Sequence, residues 1–296
     1  MIRSLMIGAA LVALATAANG RQLDPSKPED ALELNKRTGC GAKDGEAAVY
    51  HWSGKVYSRV DGETDKLLFT AEGMNIRQCV AVTDPVRGKG YRHVSREVMF
   101  FTDPKTGQIL RQWANPWTGE TVEVMQVHND PVNARALFPI GADGKPFTIQ
   151  LQASGAYTQM AAEAPLFYRN PLAGDYQDYV GGQYHAMEIF DFTMPTQELF
   201  DTKYPTVYPS VAWVRISKWM PWMRMGDRQG QLVFNAMGSK LHGYAELPAV
   251  IKDEIAAHYP EFTAPPPGDD PRPNATTWTV FKGQIDAARK AAAPTK

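Results

Sequence analysis

Between residues 47 and 241 apolar and polar positions alternate with a period of two over most of the chain, the pattern of half-buried β-strands. Residues 47–52 and 55–60 read as two such strands, with Ser53-Gly54 as the turn between them. Strands over 66–70 and 74–82 follow, then a loop over 85–90 and a longer strand over 92–102. The run Asp103-Pro104-Lys105-Thr106-Gly107 has hairpin-turn composition, with 108–114 as its return strand, and 121–128 comes after a second turn at 115–119. Residues 129–144 have no period, whereas 147–154 alternate cleanly. Residues 164–182 are rich in Tyr, Asn, Pro and Gly; at that length the segment reads as a lid or binding loop. Strands over 183–193, 211–219 and 231–241 complete the series.

Helical periodicity is confined to short stretches, mostly at the two ends. Pro28 starts a helix that runs through Arg37, with Asp30 near its front, Lys36 and Arg37 near its back and Gly39 as its stop. A helical turn is expected at 196–200. Pro248 opens a helix over 247–259 with Val250, Ile251, Ile255 and Tyr259 on one stripe. A Pro-rich strap covers 264–274, and Trp278, Phe281 and Ile285 mark a last helix over 277–290. Sequential, short-linked strands with helices at the ends predict a mainly β protein: an antiparallel meander closing into a β-barrel of lipocalin or calycin size. A two-sheet β-sandwich is the alternative. The implied organisation is a strap and short helix over 19–46, a barrel over 47–245, and C-terminal helices with the strap packed on it over 246–296.

The first residues change the picture of where the chain works. A basic start at 1–3, an apolar run over 5–15 and Ala15-Thr16-Ala17 have the form of a signal peptide over 1–18, cleaved near Ala17 or Ala18. The apolar run is shorter than the ~20 residues of a spanning helix. The sequence therefore predicts a periplasmic or secreted protein with no membrane insertion after leader cleavage. Cys40 and Cys79 are the only cysteines; an oxidising compartment permits them to pair, and two buried free thiols are the alternative. The formal net charge is −1 and no long run of like charge occurs, so nucleic acid has no electrostatic support as a partner. The expected partner is a small-molecule ligand, and nothing in the pattern sets an oligomeric state.

Residues 213–230, WVRISKWMPWMRMGDRQG, concentrate ring surface and fixed charge. Alternation puts Val211, Trp213, Arg215, Ser217 and Trp219 on one strand face and Ala212, Val214, Ile216 and Lys218 on the other. Indoles beside a guanidinium fork suit a cavity wall better than a dry core. Trp222, Arg224 and Arg228 then fall at a corner beside the cavity mouth, where Asp227 could instead simply pin the turn. Trp213, Trp219, Trp222, Arg224, Arg228 and Tyr184 are the predicted ligand-binding residues. A core strand followed by an amphipathic surface loop is the competing reading.

Several common chemistries lack their motifs. No G-x-G-x-x-G or Walker loop is present, and no G-x-S-x-G elbow, so nucleotide binding and serine hydrolysis have no support. His185 and Glu188 have metal-motif spacing, but on a strand they point to opposite faces. No metal and no cofactor are predicted. Acid–base chemistry or plain binding remains. Alternation groups His185 with Asp191, Tyr184 with Glu188, Glu97 with His93, Ser95 and Met99, and Glu123 with Thr121 and Met125. The preferred catalytic group is His185, which would move a proton, with Arg215 holding an anionic group or developing oxyanion and Glu188 beside them. A solvated outer face is the alternative for each charge. The expected function is that of a cofactor-independent lyase or isomerase, with a tryptophan- and arginine-lined cavity for a small aromatic or terpenoid-like molecule. A non-catalytic carrier of such a ligand is the alternative, and an envelope protein with a merely packed tryptophan corner is a third reading.

The pattern W-x-R-I-S-x-W-x-P-W-M-x-M-G-D-R-x-G, read from Trp213 to Gly230, resembles a bacterial and fungal family known as domain of unknown function 1838. His51-Trp52-Ser53-Gly54-Lys55-Val56-Tyr57 and Gly238-Ser239-Lys240 support the resemblance, which covers most of the chain between Leu32 and Tyr259. It implies no activity and assigns no catalytic residue.

Overall fold

Two glycines read above as turn or break positions instead let long strands pass close to their neighbours. In the computed structural model, which describes residues 20–176, 178, 179 and 182–292, β1 runs unbroken through Ser53-Gly54 as Ala47–Arg59. A Cβ at Gly54 would collide with the backbone of Asn235 and with Ala236, so the glycine serves close strand approach rather than a turn. The next two predicted strands are likewise one, β2, Lys66–Asp84, and the indole of Trp52 lies where a side chain at Gly73 would be.

The chain continues as β3 (Gly88–Thr102), β4 (Gln112–Ala114), β5 (Thr121–Glu123), β6 (Val127–Asn129), β7 (Gln152–Ser154), β8 (Tyr157–Arg169), β9 (Gln183–Pro195), β10 (Ser210–Ser217) and β11 (Gln231–Leu241). The helices are α1 (Pro28–Gly39), α2 (Thr196–Phe200), α3 (Ala249–His258) and α4 (Thr277–Ala292). Nine strands form one antiparallel sheet in the order β6-β3-β2-β1-β11-β10-β9-β8-β7, and β4 pairs with β5 as a separate ribbon.

The fold is thus mainly β and antiparallel, but the expected closure into a barrel is not found among the described residues, because the edge strands β6 and β7 do not pair. Each is three residues long, and β6 runs directly into Asp130-Pro131, whose proline has no N–H to extend a ladder. The sheet curls instead. Side chains from β3 and β10, with three strands between them in the sheet, line one cavity.

Other boundaries differ for local reasons. The segment expected as one strand over 121–128 is divided into β5 and β6 by Gln126, whose amide accepts from the Phe101 N–H at 2.7 Å and donates to the Leu110 carbonyl at 2.8 Å. A side chain there replaces backbone pairing. The return strand expected after the 103–107 turn is reduced to one bridge, Thr102 to Ile109, before the chain leaves to form β4. The long strand β8 takes up the first part of the segment read as a lid, so the connection to β9 begins only after Arg169. Of the strand expected over 147–154, only Gln152–Ser154 pairs.

The concave face carries the larger apolar core, including Val56, Phe69, Phe101, Trp113, Trp219, Trp222 and Phe234. On the convex face α3 covers Val49, Met74, Ile76, Val98 and Phe100. The disulfide Cys40–Cys79 ties the end of α1 to β2, with Cα atoms 5.7 Å apart. Buried Arg37 donates to the carbonyls of Glu198, Leu199 and Asp201 and so docks α1 on α2. The Pro-rich strap is pinned by Arg272, which bridges Asp270 and Asp130 at 2.8 Å each; Asp130 also accepts from Arg96. This places α4 against the concave face, with Trp278 4.9 Å from the Tyr184 ring. The predicted signal peptide lies outside the described residues, and among those described no helix is long and apolar enough to cross a membrane.

Candidate functional site

The register of β9 and β10 builds the centre of the site. Arg215 stands opposite Glu188, and both side chains project from the concave face. Arg215 donates through Nη1 to Glu188 Oε1 at 2.8 Å and through Nη2 to the Tyr184 hydroxyl at 2.5 Å. Burial acts against the charge of this guanidinium, but Tyr184 and Glu188 outweigh it and hold its pKa above the ordinary value. Its Nε is buried with no hydrogen-bond partner among the described residues.

Around this pair the curled sheet encloses a cavity of about 160 Å³. Trp52 and Tyr50 enter from β1, Asn75 and Arg77 from β2, Glu97 and Met99 from β3, Phe190 and Phe192 from β9, and Val211 and Trp213 from β10. Val127, Met220 and Thr277 complete the lining, the last from the first residue of α4. Trp213 packs 6.0 Å from Trp52 and 6.4 Å from Phe190. The Nε1 atoms of Trp52 and Trp213 are buried and, among the described residues, unpartnered, like Nε of Arg215. An indole N–H can only donate, and leaving such a donor unmade costs about 1–3 kcal/mol.

Glu97 is the carboxyl whose proton affinity this environment changes most. It is pushed up to about 7, first by burial and next by the charge of Glu188, while Arg215, Arg77 and the Asn129 amide pull the other way. Arg77 is held below its ordinary value by burial; its Nε donates to Asn75 Oδ1 at 2.7 Å and its guanidinium lies 4.9 Å from the Tyr50 ring centroid. A carboxyl poised near neutrality beside two guanidiniums can exchange a proton with a bound molecule while the cations hold an oxygen.

The raised Glu97 makes a stability prediction. The unfolded chain releases this proton near 4.5 and the folded chain near 7, so the folded state holds one more proton across that window. The group's favourable contribution is complete below about 4.5 and lost as pH rises through about 7. Glu97→Gln, which mimics the protonated form, is expected to match the parent at pH 4 and exceed its unfolding free energy at pH 8 by on the order of 3 kcal/mol. Urea denaturation at both pH values checks this; an equal difference at the two would sink it.

The residues singled out from sequence divide into four groups. Trp213, Arg215, Glu188 and Tyr184 come together, the first three on the cavity wall and Tyr184 behind Arg215. Trp219 and Trp222 are 1% and 2% exposed and belong to the core, not the cavity wall. Trp219 Nε1 donates to the Arg228 carbonyl at 3.0 Å, and Trp222 packs against Phe69, Phe101 and Trp113 at 5.5–5.9 Å. Arg224 and Arg228 have exposed side chains; Arg224 adopts φ 53° and sits 5.7 Å from the Tyr179 ring. His185 is separated from Arg215, because strand alternation sends it to the convex face against exposed Phe167, 5.9 Å away. Arg77, Asn75, Tyr50, Phe190 and Phe192 are lining residues that the sequence reading did not select. Phe190 and Phe192 alternate in step with Glu188, but the opposite row of β9 mixes apolar and ionisable residues too, so no local signal marks its inner face.

The fold and cavity place the chain among antiparallel β proteins with an enclosed polar and aromatic site. The model of the family described as Protein of unknown function (DUF1838) matches residues 45–285, and the chain belongs to that family. No curated protein matches it significantly. Among solved structures it is similar to Ail, the attachment invasion locus protein of Yersinia pestis, at 7% identity and a TM-score of 0.19 over 67% of this chain and 98% of that one, a likeness that carries no argument about fold or function.

Proposed function

We propose that this is an exported enzyme of the lyase or isomerase kind, which binds a small, partly aromatic or terpenoid-like molecule in the concave cavity and moves a proton on it. The observation that supports this reading is the placement of Glu97, Glu188, Arg77 and Arg215 on the wall of one cavity beside Trp52 and Trp213. Guanidiniums on such a wall are suited to an oxygen of a bound molecule, and they stabilise it further when it gains negative charge. Glu97 is the proton-exchanging group, Arg215 the donor to the developing oxyanion, and Glu188 the positioning residue that fixes Arg215. Phe190, Phe192 and the two indoles hold the apolar body of the substrate. The cavity is below the ~300–1,000 Å³ of sites for drug-sized ligands, so the substrate is small.

A carrier is the second reading, favoured by the apolar share of the wall, Met99, Val127, Phe190, Phe192, Val211 and Met220. One experiment separates the two: the purified protein is incubated with a small-metabolite extract, and mass analysis follows what is retained and what is altered. An enzyme alters a compound that Glu97→Gln only retains. Retention without alteration by both proteins supports the carrier, and retention of nothing by the parent overturns both readings.

A further inference from the structure

The charges around the cavity do not balance pair by pair, and the residue left over is Arg77. Arg215 is matched by Glu188 at 2.8 Å, whereas Arg77 forms no ion pair among the described residues. Its Nε donates to Asn75 and one face lies against the Tyr50 ring, which leaves the Nη edge as the part that can donate to a fork of two oxygens. A guanidinium withdrawn from water without a counter-charge is costly, and a ligand anion removes that cost. Resting on the reading of this cavity as a ligand site, we infer that its occupant is a small monoanion, a carboxylate on an apolar or aromatic body, with the carboxylate seated on Arg77.

The rest of the lining suits the same occupant. The aromatic wall supplied by Tyr50, Trp52, Phe190, Phe192 and Trp213 suits a flat apolar body.

Glu97 sets the pH range of this binding. The charged and polar groups that act on it are Arg77 from β2, Asn129 from β6, Glu188 from β9 and Arg215 from β10. With a proton on Glu97, Arg77, Arg215 and Glu188 leave one net positive charge for an anion. Once Glu97 ionises, an incoming carboxylate meets a second carboxylate beside the first. Anion binding therefore takes up a proton, and affinity falls with rising pH by up to about tenfold per unit above neutrality.

Benzoate, benzamide and benzylamine share a ring and differ in charge, and they are titrated into the full chain by calorimetry and indole fluorescence at pH 6 and pH 8. Benzoate is expected to bind at least about tenfold more tightly than benzamide at pH 6, benzylamine more weakly than either, and benzoate to weaken about five- to tenfold at pH 8. Arg77→Met should bring benzoate down to the level of benzamide, and Arg77→Lys should restore part of the difference. Glu97→Gln should bind benzoate equally at both pH values, and it decides the matter if the Arg77→Met chain does not fold. Benzamide binding as tightly as benzoate, or a benzoate preference that survives Arg77→Met, overturns the anion inference while leaving the cavity a ligand site. Failure of all three probes to bind overturns the inference together with the ligand-site reading on which it rests.

Discussion

Trp222→Ala is expected to lower the free energy of unfolding by about 3–5 kcal/mol, the range for removing a large aromatic side chain from a packed core. The residue begins no strand and does not line the cavity around Arg215. It sits in the short helical turn Pro221–Met223 that follows β10 and inserts its ring among Phe69, Phe101 and Trp113. Those three come from β2, β3 and β4, so one side chain joins the sheet to the separate ribbon. The ring removed is bulky and its neighbours are themselves rigid aromatics, which leaves little scope for collapse into the space. Trp222→Phe should cost less than half as much, since it keeps most of the ring contact and removes an N–H that has no partner. Chemical denaturation of both variants measures this, and a loss of under ~1 kcal/mol for the alanine variant would contradict the packing argument.

Arg215→Met is expected to cost a similar ~3–5 kcal/mol for a different reason. The side chains of Arg215 and Glu188 are 20% and 18% exposed, and the substitution leaves the Glu188 carboxylate facing the cavity without its counter-charge. The Tyr184 hydroxyl loses its donor in the same step. Adding Glu188→Gln removes the stranded charge, so the double variant should recover most of the loss. The double-mutant cycle measures the coupling, expected above ~1 kcal/mol for groups in direct contact. Additive losses would mean that the pair does not act as a unit. Arg215 and Trp222 are seven residues apart in a single motif, yet one stabilises by charge neutralisation and the other by packing.

That division explains how much the sequence could disclose. Strand alternation is a local property, so the face shared by Trp213, Arg215 and Ser217 is legible from the chain alone, and the bounds of β11 are read directly as Gln231–Leu241. Which face of β9 points inward is not local. One row carries Ala186, Glu188, Phe190 and Phe192, and the other His185, Met187, Ile189 and Asp191, so both mix apolar and ionisable groups. The pairing of Glu188 with Arg215 decides between them, and that pairing exists only once β9 and β10 are in register. The parity of Glu97 is legible too, but its approach to Arg215 depends on the curl of a sheet with three strands between theirs. Gly54 and Gly73 show a different ambiguity, since a glycine marks a turn and a close approach with the same letter.

The cavity takes its lining from Tyr50 near one end of the chain and Thr277 near the other. A ribosome producing this protein has therefore laid down every strand before the side chain of Thr277 exists. The cavity lining is consequently completed late in synthesis, and a chain interrupted before α4 lacks the residue that this helix adds to it.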